Sequence, residues 1–203
     1  NPKKLPKPKS WKDLFQEPYV SRLGLTGFQT TFGTVSLIEM AKAFGGSETD
    51  VEPIFAEIKK ILPKIAAVTA PAALPSMFQQ GQIDVTYTNT NNIDSLKKRG
   101  VDIELAVPES GAISFVTTLH RVKGAENKDN GYKYIDTAIS APVQGALLKS
   151  SAVLLPVHRD VALTDGLPIK SLDDLSKFIT HDWTKINPQR AAWIERFNKE
   201  VTK

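Results

Sequence analysis

The side chains in this sequence whose types and spacing suggest chemistry are uncharged and polar. Gln29, Thr30, Thr31 and Thr34 surround Phe32 and Gly33 in the stretch Arg22–Gly46, RLGLTGFQTTFGTVSLIEMAKAFGG. Amide and hydroxyl donors are grouped there between a short apolar run and a helical pattern. Such groups at a helix N-terminus, beside the carboxyl end of a strand, bind an anion or a polar solute. The competing reading is local: Thr31 or Thr34 caps the helix and does nothing more. A phosphate loop is excluded, because no Lys-Ser/Thr follows the second glycine. Similar neutral groups recur at Thr69, at Tyr87-Thr88-Asn89, and at Ser114-Phe115 with Thr117-Thr118. Loop capping and cross-strand threonine pairing would account for them singly. Several strand ends carrying such groups toward one place would form a ligand crevice.

Catalytic chemistry lacks a comparable set. His120, His158 and His181 are far apart and have no partners at metal-ligand spacing. There is no cysteine, which removes thiol catalysis, thiolate metal sites and disulfides. Asp173-Asp174 fits the start of a helix, where acids favour the dipole, and no serine sits in a recognisable nucleophile turn. The expectation is a protein without catalytic residues, metal ligands or cofactor.

The elements that must position these groups follow from periodicity. Leu23 and Leu25 alternate with small residues up to Gly27, as in a short buried strand. Val35, Ile38, Ala41 and Phe44 recur at helical spacing until Gly45-Gly46 ends the helix. A second helix spans Val51–Leu62, with Ile54, Phe55, Ile58, Ile61 and Leu62 on one face and Pro63 beyond it. Ile65–Thr69 reads as a short strand, Pro75–Gln80 as a short helix, and Ile83, Val85 and Tyr87 as a strand. Asn89–Asn92 turns into a helix ending at Gly100. Further strands are expected at Ile103–Val107 and Ile113–Leu119. Strands alternating with helices over Leu23–Leu119 predict a parallel-rich α/β sheet. The remainder is more helical: Asn127–Ile139, a helix capped by Ser140, an apolar link Leu154–Val157, then Ser171–Ile179 and Pro188–Val201.

Length and composition allow one large domain or two small lobes in 203 residues. A hydrophobic content of 41% with 24% charged residues is ordinary for a globular chain. No apolar run reaches the length of a membrane helix. The net charge of +4 gathers at Lys3, Lys4, Lys7, Lys9 and Lys12 among prolines, an extended and solvated segment. No aromatic residues interleave those lysines, so a nucleic-acid partner is not expected.

Taken in order, several motifs resemble one family. They are NPKKLPKPKSWKDLF, MAKAFGG, FAEIKKILPKIAAV, FQQGQIDVTYTN, VPESGAISFVTTL, KYIDTAISAPVQGALLKSSAVLLPV and the closing WIERFN. Together they resemble the solute-binding proteins of ABC importers, in the branch that holds the spermidine/putrescine-binding proteins. The resemblance implies an α/β, type II periplasmic-binding-protein-like lobe with a parallel-rich sheet flanked by helices, plus part of a second lobe. It assigns residues 10–115 to the second, C-terminal lobe, residues 119–167 to the first lobe, and residues 171–203 to a return into the second. The chain would then be the C-terminal portion of a binding protein. Its partners would be a small-molecule solute and a membrane permease, in the periplasm or anchored at the cell surface. The N-terminal remainder of the lobe, or a second copy, would cover residues 119–167.

The resemblance also bears on the solute. Polyamine binders set acids against the ammonium groups and tryptophans against the methylene chain, because a desolvated cation needs an opposite charge. By that comparison a tryptophan and an aspartate fall at Phe115 and Thr117, acids near Phe32 and Val35, and a strand-end tryptophan near Asn89. The aromatic wall is partly kept and the carboxylates are gone. The expected ligand contacts are therefore Gln29, Thr30, Thr31, Phe32, Thr34, Tyr87, Asn89, Phe115 and Thr117, around a small polar or anionic solute. No tyrosine pair suggests ferric iron. The alternative is a ligand-sensing domain of a regulator, which a helix-turn-helix encoded upstream would reveal; an enzyme on a related two-lobed fold is a third reading.

Overall fold

The computed structural model describes residues 1–150, 155–163 and 169–202. They form two compact units, Asn1–Ile113 with Ile179–Lys203, and Ser114–Phe178. In the first, three short parallel strands form a sheet in the order β2-β1-β3. β1 (Leu23–Leu25) is central and fully buried. It pairs Gly24 with Ala67 of β2 (Ala67–Val68) and Leu23 with Val85 of β3 (Val85–Thr86).

Strand alternation sorts the core into two clusters. Leu23 and Leu25 lie in the larger cluster with Phe28, Leu37, Ile38, Phe55, Ile58, Trp193 and Phe197. Between them, Gly24 faces the smaller cluster of Leu74, Phe78, Ile83, Ile93, Leu96 and Ile103. A Cβ on Gly24 would lie 2.5 Å from Ile83 Cδ1 and 3.0 Å from Leu74 Cδ2. Glycine at this point lets the smaller cluster close against the central strand.

Helix α1 (Thr31–Ala43) follows β1 and is buried from Phe32 to Ala41. A helix buried on all sides needs cover on all sides. Helix α2 (Glu52–Ile61) and the 3-10 turn Trp11–Phe15 supply part of it. Glu39 lies within that buried stretch, and two donors hold its Oε1: His181 Nε2 at 3.0 Å and Lys42 Nζ at 2.7 Å. Burial alone would raise the Glu39 carboxyl, yet the hydrogen bonds from His181 and Lys42 hold it below its ordinary value. Helices α3 (Leu74–Gln79) and α4 (Thr90–Lys98) complete the α/β alternation.

The chain returns to this unit through a bridge from Ile179 to Ile113. It then runs into α7 (Trp183–Glu200), capped by Asp182. The second unit holds α5 (Lys128–Ala138) and α6 (Ala141–Ser150), which pack on each other. Among its described residues α5 buries none and α6 buries Leu148. Tyr132 and Leu147 are exposed, as are Val116, Leu119 and Val122. Among the described residues no helix is long and apolar enough to cross a membrane.

Several expectations are corrected. Ile103–Val107 and Ile113–Leu119 form no strands; only Ile113 makes a bridge. Ile103 instead fills the smaller cluster, so its apolar character is used without a ladder. Ser171–Ile179 holds a 3-10 turn, Leu172–Lys177, opened by a Ser171–Asp174 capping box. The last helix starts at Trp183, with Pro188 inside it. The Asp182 carboxylate, accepting from the Thr184 amide at 3.0 Å, supplies the earlier start. Part of the link expected at Leu154–Val157 lies outside the described residues.

Candidate functional site

Because β1, β2 and β3 run parallel, their carboxyl ends share one edge of the sheet. Three loops leave that edge, one to each of α1, α3 and α4, and hydrogen bonds fasten their roots to β1 and the first loop to the third. The Thr69 amide donates to Leu25 O at 2.9 Å, and Thr86 Oγ1 donates to Gly24 O at 2.8 Å. Buried Tyr87 locks the first loop to the third: its hydroxyl accepts from the Thr26 amide at 2.9 Å and donates to the Thr26 carbonyl. Burial pushes this phenol above its ordinary value, so it stays protonated and able to donate. Thr26 is itself fully buried, and its hydroxyl finds no partner among the described residues.

Two helix N-termini stand at this edge. Thr30 caps α1, its hydroxyl accepting from the Gly33 amide at 3.1 Å. Asn89 caps α4 by accepting from the Asn92 amide at 2.9 Å, while Asn92 Nδ2 donates to Thr88 Oγ1 at 2.7 Å. The cap of α1 is thus Thr30, where the sequence offered Thr31 or Thr34 as the capping alternative. Helix geometry gives the next two amides, of Thr31 and Phe32, no intrahelical acceptor. They sit at the positive end of the α1 dipole, where a carboxylate or phosphate gains about 0.3–1 kcal/mol, more when partly buried. Beside the third loop, Thr86, Thr88 and Asn92 meet Leu74, Phe78, Leu96 and Ile103 along a shallow groove.

The expected ligand contacts separate into two groups. Gln29, Thr30, Thr31, Phe32 and Thr34 share the carboxyl edge with Tyr87 and Asn89. Within that group Phe32, Thr34 and Tyr87 are buried, whereas Gln29 is exposed and Thr30, Thr31 and Asn89 are half-buried. The buried three shape the loops. Thr34 Oγ1 lies 2.8 Å from Phe28 O and 3.0 Å from Thr30 O, fastening the first turn of α1 to the loop before it. Phe115 and Thr117 belong to the other unit and are exposed, Phe115 at 39%.

Two supports were not read from sequence. Gly33 is packed against backbone: a Cβ there would lie 2.2 Å from Gly27 O. Gly33→Ala is therefore expected to push the first turn of α1 off the loop, at a cost of about 2 kcal/mol. A urea midpoint unchanged from wild type would refute this. The second support is Arg190 of α7, which donates from Nε to Phe28 O at 3.1 Å and from Nη2 to Gln29 O at 2.8 Å. Its signal was present in the spacing Ile186, Arg190, Trp193, Phe197. That is one helical stripe, with a cation set among residues that are otherwise apolar.

Among the described residues no cluster of three His, Asp or Glu could hold a metal. The arrangement offers neutral donors and two helix dipoles.

Comparison with known proteins points the same way. A family model described as bacterial extracellular solute-binding protein matches residues 1–175. The chain is 25% identical over 168 residues to the spermidine/putrescine-binding periplasmic protein of Salmonella typhimurium, covering 80% of this chain and 43% of that relative. It thus spans less than half of that relative's length. Among solved structures it resembles an ABC transporter from Clostridium perfringens, with a TM-score of 0.66, 21% identity, and 96% of this chain on 63% of that one. It also resembles a periplasmic binding protein from Actinobacillus pleuropneumoniae with exogenous fructose-6-phosphate bound. There the TM-score is 0.65 and the identity 19%, with 96% of this chain on 60% of that one. These likenesses show an α/β fold of the periplasmic-binding-protein kind, present here in part.

Proposed function

Because this chain belongs to the bacterial extracellular solute-binding proteins, we propose that it is a solute-capturing component of an ABC importer. It would take up a small polar or anionic solute outside the cytoplasm, in the periplasm or at the cell surface, and hand it to a membrane permease. The observation that carries this reading is the pair of capped helix N-termini, at Thr30 and Asn89, on the carboxyl edge of one parallel sheet. The matching family favours this reading over a regulator's sensing domain.

In this reading residues 10–115 and 171–203 make the lobe that bears the edge and 119–167 belong to the other lobe, although residues 114–115 and 171–178 group with the second compact unit. The apolar side chains exposed on the latter, among them Tyr132 and Leu147, would be covered by the rest of that lobe or by a second copy. Solute contacts come from Gln29, Thr30, Thr31 and Asn89, with Phe115 and Thr117 assigned to the same role on resemblance alone.

The polyamines named for the Salmonella relative do not suit these residues. Phe32, Val35 and Thr117 bring no carboxylate to positions where a polyamine would need one. An unpaired desolvated cation loses about 3–5 kcal/mol, two to four decades of affinity. Calorimetric titration with spermidine, putrescine, sugar phosphates and short-chain carboxylates tests the reading. Saturable binding is expected from a phosphate- or carboxylate-bearing solute. Submicromolar spermidine binding would overturn the anionic preference.

A further inference from the structure

We infer that Arg190 is a positioning residue, through which the C-terminal helix α7 sets the conformation of the β1–α1 loop. The inference rests on reading that loop as a solute-contacting one. Strands and helices satisfy most backbone groups here, but the carbonyls of Phe28 and Gln29 lie between β1 and α1, outside any ladder. Arg190 reaches both, and its Nε is also 3.1 Å from Thr34 Oγ1, the hydroxyl that fastens the first turn. One guanidinium therefore joins the loop backbone to the helix start. Lysine would match this only in part, since its three donors share one nitrogen and lack the rigid planar fork.

The rest of α7 reinforces the link. Trp193 and Phe197, on the same stripe, pack on the Phe28 ring at 5.5 and 6.1 Å between centroids. Asn198 Oδ1 accepts from Gln29 Nε2 at 3.0 Å. Arg190 also lies over the Trp183 ring at 5.9 Å, a second contact for the same guanidinium. The loop is thus held by two rings and a cation, all supplied by one helix far along the sequence.

Site-resolved hydrogen exchange on the whole chain tests this without any solute, so failure of the binding reading in calorimetry stays distinguishable. The reporters are the amides of Gly33 and Thr34, both bonded to Thr30. The reference is α2, whose Phe55 amide bonds to Val51 O. In Arg190→Met the reporters are expected to exchange about ten-fold faster relative to the α2 amides, because charge-assisted bonds to the loop are lost. Arg190→Lys should recover part of that protection. Unchanged reporters, or equal acceleration of reporters and α2, would overturn the inference. If Arg190→Met does not fold, the lysine variant is judged by the same ratio.

Discussion

Phe28→Ala is expected to cost about 3–5 kcal/mol of stability, the usual penalty for emptying an aromatic site in a core. Phe28 is fully buried although it sits in a loop between strand and helix. Its ring stacks on Phe55 at 5.9 Å and meets Trp193 and Phe197 from α7. Little around it can collapse into the void, because the rings of Phe55, Trp193 and Phe197 are themselves packed in the larger core cluster. The same change frees the loop that carries Gln29 and Thr30, so stability and solute binding should fall together. Urea unfolding at constant slope measures the loss. A loss below about 1 kcal/mol, as for a surface substitution, would show that the loop is not anchored there.

Asp84→Ala is expected to cost about 3 kcal/mol and to flatten the acid side of the stability profile. Asp84 is 1% exposed, and its carboxylate meets Lys4 Nζ at 3.0 Å and Arg22 Nε at 2.6 Å. Removing a buried partner costs about 3–5 kcal/mol. The lower end applies because Lys4 and Arg22 stay partly in water and can be rehydrated. Burial alone would raise this carboxyl, but the hydrogen bonds from Lys4 and Arg22 hold it below the ordinary 3.8. A carboxyl depressed by folding contributes fully above its unfolded value and loses that contribution as pH falls through its folded one. The gap between wild type and variant should therefore be constant from about pH 5 to 7 and shrink below about pH 4. A gap that widens in acid would contradict this assignment.

The unit that carries the edge was legible wherever local pattern and tertiary use agree. Leu23, Leu25 and Gly27 read as a strand end, and Val35, Ile38 and Ala41 as the helix that follows. Both held because each residue is buried as its spacing implied. Alternation at Ile103, Leu105 and Val107 misled, since alternation describes which side chains are apolar and not whether a neighbouring strand exists. Ile103 enters the core from a segment without regular structure, while Leu105 and Val107 are exposed. At the α1 cap three threonines within five residues were chemically equivalent. Only the path of the loop over Phe28 selects Thr30. Arg190 was not linked to the loop for a different reason. Its contacts join positions 162 residues apart in the sequence, and no local rule relates them.

The central claim, that the loops at Thr30 and Asn89 hold a small anionic or polar solute, is tested most directly by native mass spectrometry. The protein as isolated would be compared with a Gly33→Ala variant shown by circular dichroism to be folded. The account predicts a bound small molecule bearing a carboxylate, a phosphate or uncharged polar groups on the wild-type chain, and its loss from the variant. The same molecule retained equally by both proteins, or a polyamine bound to the wild type, would contradict it.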